Sequence, residues 1–155
     1  MLQQELVRRH PGYAVVNASI SGETTYGGRQ RIAKVLQQHG PVIVIVELGA
    51  NDGLRGYRIA DSQANLDEII RQSKSSHARV LLAGMRLPPN YGAAYTKQFQ
   101  NIFPALAAKH RVALLPFLLE GVAQEQFQPD NLHPTAAAQP RIMRSVLEKL
   151  KPWLR

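Results

Sequence analysis

The feature that most constrains this chain is an unbroken apolar run, Val42-Ile43-Val44-Ile45-Val46, closed by Glu47-Leu48 and broken by Gly49-Ala50-Asn51-Asp52-Gly53. Five β-branched residues without polar alternation predict a strand buried on both faces, as in a parallel sheet covered by helices. Open α/β sheets bind ligands just beyond the carboxyl ends of their strands. Asn51, a short polar amide at that lip, therefore stands where function is usually built.

The remaining chain alternates around this run. Periodicity and turn residues predict a helix over 1–10, a strand over 13–18 and, after a loop at 19–28, a helix over 29–38. Beyond the apolar run, Asp61 suits an N-cap for a helix carrying Leu66, Ile69 and Ile70 on its inner stripe. A strand over 79–85 follows, then a helix over 95–110 with Phe99, Ile102, Phe103 and Leu106 inward, then a strand over 112–115. Residues 117–122 read as a short apolar helix or lid, 126–134 as loop, and the last helix opens at Thr135 and runs to about residue 154. Such alternation predicts the α/β class, a parallel sheet between helices. The 155 residues suit one domain. The chain opens on a helix, whereas a doubly wound flavodoxin-like sheet normally opens on a central strand.

Composition narrows the function. Without cysteine the chain has no disulfide, no thiolate metal site and no thiol redox chemistry. A formal net charge of +8 suits anionic partners. The Lys and Arg are scattered and no aromatics interleave with them, so the charge reads as a solvated surface and predicts no nucleic-acid partner. No run approaches the roughly 20 apolar residues that span a bilayer, so no stable membrane insertion is expected. The first ten residues hold no apolar signal-peptide core. A signal peptide upstream would make the protein periplasmic or secreted; without one it would be cytoplasmic.

Three positions invite chemistry. Asp130 and His133 lie three apart between Pro129 and Pro134. That spacing lets a carboxylate reach imidazole Nδ1–H, fix the tautomer and leave Nε2 as a general base. A surface turn has the same sequence. No second histidine or carboxylate lies close enough to favour a metal, and none is expected. Asn51 reads equally as an oxyanion donor or as an Asx turn closing the strand. Gly22, after the strand at 13–18, offers a backbone N–H beside it, or serves only a turn needing positive φ.

Taken together the segments resemble the SGNH (GDSL) hydrolases, and within them the bacterial thioesterase, lysophospholipase and arylesterase group. The resemblance rests on Val16-Asn17-Ala18-Ser19-Ile20-Ser21-Gly22 and on 47–56, ELGANDGLRG. It continues through 86–92, RLPPNYG, then Leu114-Leu115-Pro116-Phe117 and Asp130-Asn131-Leu132-His133-Pro134. It implies a flavodoxin-like three-layer α/β/α fold and hydrolysis of small acyl esters, thioesters or lysophospholipids with no cofactor. It implies His133 as base, Asp130 as its orienter, and Gly22 N–H and the Asn51 amide as oxyanion donors. Leu87, Pro88 and Phe117 would line an acyl groove.

One family block is absent: no Gly-Asp-Ser occurs in the chain. The expectation is a single domain lacking its N-terminal central strand and the nucleophilic serine that ends it. Ser19 and Ser21 follow the wrong strand to replace it. The alternative is a catalytically inactive fragment, or an acyl- or lipid-binding module that self-associates through open sheet edges. Oligomeric state is left open.

Overall fold

The structure is a computed structural model and describes residues 1–154. The chain forms two compact units, one from Ala18–Pro116, the other from Met1–Asn17 with the chain from Phe117 onward.

The Ala18–Pro116 unit is α/β. It comprises α2 (Thr25–His39), β1 (Ile43–Val46), α3 (Ala50–Leu54), α4 (Ile59–Ser75), β2 (Arg79–Ala83), α5 (Ala93–His110) and β3 (Ala113–Leu115), with α1 (Leu2–Arg9) preceding it in the other unit. The sheet is parallel in the order β1-β2-β3, with Val44 opposite Val80 and Leu82 opposite Leu114. Alternate residues Val44, Val46, Val80, Leu82 and Leu114 join one core with Ile32, Leu66, Ile70, Phe99 and Phe103. Leu66 and Ile70 are fully buried. Each contributes roughly 1.5–3 kcal/mol by leaving water. The Phe99 and Phe103 rings meet edge to face at 5.5 Å. Gly84 lets β2 approach the next strand, since a Cβ there would stand 2.3 Å from the Pro116 carbonyl oxygen.

Several expectations need correction. The strand expected to be buried on both faces is buried on one: Val44 and Val46 join the core, whereas Ile45, pointing the other way, is 38% exposed. Apolar residues of α2, α4 and α5 pack with Val44 and Val46 on one face, and β1 pairs only with β2 among the described residues. Residues 13–18 form no strand. A strand needs a ladder, and here Val15 N–H donates instead to the Gln3 side chain. The break after β1 holds a short helix, α3, and α2 begins at Thr25, capped by Thr24 Oγ1. Helix α4 begins at Ile59, which puts Asp61 in its first turn rather than at the cap.

In the other unit, Leu6 of α1 is buried and Tyr13 OH donates to the Trp153 carbonyl at 2.9 Å. Residues 117–122 are turns, not a helix, with Leu119 buried. The last helix, α6 (Gln139–Leu150), starts after a 3-10 turn at Ala136–Ala138 and ends in another at Lys151–Trp153. No helix among the described residues is long and apolar enough to cross a membrane.

Candidate active site

The loop before α6 folds back on itself. Gln128 N–H donates to the His133 carbonyl at 2.8 Å, Asn131 N–H to Gln128 at 2.8 Å, and Thr135 N–H to Gln126 at 2.7 Å. Phe127 and Pro134 close it as an antiparallel bridge. Asn131 turns the tip with φ +55° and accepts from Gln124 Nε2 at 2.8 Å. Asp130 then grips His133 twice. Its Oδ2 lies 2.7 Å from His133 Nδ1, and its Oδ1 accepts the backbone N–H groups of Leu132 and His133 at 2.9 and 3.0 Å. The His133 and Leu132 backbone bonds, with the imidazole, hold the Asp130 carboxyl at about 2. An ionised Asp130 can only accept at that contact, which favours the Nδ1–H tautomer and leaves Nε2 as a proton acceptor. Both side chains are open to solvent, His133 at 67% and Asp130 at 44%.

Asn51 and Gly22 belong to the Ala18–Pro116 unit. Gly49, at φ +112°, turns the chain out of β1 and places Asn51 in the first turn of α3. Asn51 Nδ2 donates to the Glu23 carbonyl at 2.9 Å, so its amide reaches the turn that holds Gly22. An amide carries two hydrogens, and this bond uses one. Gly22 is exposed with φ +74°, and its carbonyl accepts from Arg55 Nη2 at 3.2 Å. Arg31 fixes the same turn, pairing with the Glu23 carboxylate at 3.0 Å and donating to the Ala18 carbonyl at 2.7 Å.

Asp52 escaped the sequence reading. It is 2% exposed and accepts Thr25 N–H at 2.9 Å, Thr25 Oγ1–H at 2.5 Å and Ser62 Oγ–H at 3.2 Å. Asn65 Nδ2 donates to Thr25 Oγ1 at 3.2 Å, and Arg29 Nη1 to Asn65 Oδ1 at 3.2 Å. The readable signal was polar residues, Ser62 and Asn65, on the same helical stripe as Leu66 and Ile69. A cavity of about 630 Å³ opens beside this network, among Tyr26, Arg29, Tyr57, Arg58 and Asn65. None of the site residues expected from sequence lines it.

The structure therefore joins Asp130 to His133, and Asn51 to the Gly22 turn. Leu87 and Pro88 are half-buried. A Cβ on Gly53 would stand 2.6 Å from Leu87 Cδ2, so Leu87 packs over α3. Phe117 is half-buried in the other unit. Ser19 and Ser21 are exposed. Among the described residues no cluster of three or more His, Cys, Asp or Glu could hold a metal ion.

Known proteins resemble this chain. The model of the family described as GDSL-like Lipase/Acylhydrolase matches residues 1–140. Esterase TesA of Pseudomonas aeruginosa is 46% identical over 156 residues, which cover 99% of this chain and 78% of that protein. Thioesterase 1/protease 1/lysophospholipase L1 of Escherichia coli is 43% identical, over 90% of this chain and 68% of that one. The crystal structure of TesA superposes with a TM-score of 0.92 at 46% identity, covering 99% of this chain and 86% of the other.

Proposed function

The chain belongs to the GDSL-like lipase/acylhydrolase family, enzymes of the carboxylic ester hydrolase type, and on that premise we propose a serine mechanism for small acyl esters, thioesters or lysophospholipids. The observation that carries it is the Asp130–His133 couple, a carboxylate 2.7 Å from the imidazole nitrogen it must orient. His133 Nε2 takes the proton of a serine hydroxyl as its oxygen attacks the acyl carbonyl. Gly22 N–H and the Asn51 amide receive the oxyanion of the tetrahedral intermediate. His133 returns the proton to the leaving alcohol or thiol, and water repeats the cycle on the acyl-enzyme. Asp130 keeps the imidazole in the correct tautomer and stabilises its charged form. The family resemblance puts the nucleophilic serine in a Gly-Asp-Ser-Leu block, and no such block occurs in these 155 residues. Half-buried Leu87, Pro88 and Phe117 contact the acyl chain.

The test joins such a block before Met1 and follows hydrolysis of a short aryl ester and an acyl thioester. Asn51→Ala is expected to lower kcat by about 10²–10³ with little change in KM. Unchanged turnover in that variant would contradict the oxyanion assignment.

A second reading, an acyl-binding module that self-associates, is favoured by the exposure of Val42, just before β1, and of Ile45 within it. An apolar edge strand is a template for pairing. Size-exclusion chromatography of the 155-residue chain over rising concentration tests it: a constant monomer volume removes it.

A further inference from the structure

We propose that Asp52 is a positioning residue for the oxyanion donors, acting through Thr25 on the turn that Asn51 holds; this rests on the mechanism proposed above. Asn51 and Asp52 are consecutive in α3, and they grip one short segment at two points. Asn51 holds the Glu23 carbonyl, and Asp52 holds both the backbone N–H and the hydroxyl of Thr25, two residues on.

Helix α3 has only five residues and no side-chain cap of its own. Its orientation therefore depends on what its side chains hold. The Asp52 grip is buried and doubly braced, since Ser62 and Asn65 of α4 bind Asp52 and Thr25 respectively. The Asn51 grip is partly exposed, and its donor must also serve the reaction. A division of labour follows. Asp52 fixes the distance between α3 and the 22–25 turn, and this leaves the second Asn51 hydrogen aimed at ligand beside the Gly22 N–H. Oxyanion donors must lie about 2.7–3.1 Å from the developing charge, so a shift of the turn is felt directly in the chemical step.

Two variants test this, Asp52→Asn and Thr25→Val, the second keeping the test open should the first not fold. In the 155-residue chain, NMR reads the Asn51 side-chain NH2. The bond to Glu23 engages one of its two hydrogens in the native protein, and either variant is expected to shift that hydrogen's resonance towards its solvent-exposed position. In the serine-bearing enzyme, Asp52→Asn is expected to lower kcat about 10- to 100-fold, the scale of a 1 Å misplacement, with KM little changed. Added to Asn51→Ala it is expected to lower kcat by less than the product of the two single losses, because part of its effect passes through that amide. A merely structural Asp52 gives losses that multiply. Unmoved Asn51 resonances in both variants, or multiplying losses, would overturn the proposal. Failure of the mechanism itself shows differently: Asn51→Ala would leave kcat intact, whatever the resonances do.

Discussion

Asp130 holds His133 by ring and backbone at once, with Oδ2 2.7 Å from Nδ1 and Oδ1 3.0 Å from the residue's own N–H. The same carboxylate thus sets where the backbone places the ring and which way the ring turns. Asp130→Asn keeps the shape but can present an amide N–H to Nδ1, which favours the wrong tautomer. Turnover is expected to fall by about 10⁴, read as kcat on an aryl ester with KM near its native value.

Acid sensitivity follows from the same contact. The Asp130 carboxyl titrates at about 2 in the folded chain, below its ordinary 3.8. A depressed carboxyl contributes stability that is fully present above pH 3.8 and is lost as pH falls towards 2. Urea unfolding measured from pH 5 to pH 2 should show a shallower acid loss for Asp130→Asn than for the native chain. Parallel pH profiles would contradict the contact.

Gly22 has φ +74°, where a side chain is strained. Gly22→Ala is expected to lower stability by about 1–2 kcal/mol. The turn would relax by shifting its N–H, so kcat of the serine-bearing enzyme should fall as well. Chemical denaturation and kcat together check this.

Gly53 lies beneath Leu87 and Phe99, whose atoms would stand 2.6 and 2.9 Å from a Cβ. Gly53→Ala is expected to cost about 1–3 kcal/mol by overpacking. Combining it with Leu87→Ala should recover part of that loss, because contacting residues are not additive. Melting temperatures of the two single variants and the double variant measure the coupling.

The core was legible because its signal is periodic. Leu66, Ile69, Ile70, Phe99, Ile102, Phe103 and Leu106, predicted inward from spacing alone, are all buried. The strand at 42–46 was legible as a strand but not in its burial, since β-branched residues mark a pleated element and not how many neighbours it has. For residues 13–18 the difficulty was greater: propensity favours extended chain, and only a partner makes a strand. Asp130 and His133 were readable because their contact is local, three residues apart. The bond from Asn51 to Glu23 spans 28 positions and that from Thr25 to Asp52 spans 27. Nothing in local spacing encodes such contacts.

The proposed mechanism requires His133 as its base. Its most direct test is kcat of His133→Ala in the serine-bearing enzyme, with a short aryl ester as substrate. A loss of several orders of magnitude is predicted, as for removal of a triad member. Turnover equal to the native enzyme would contradict it.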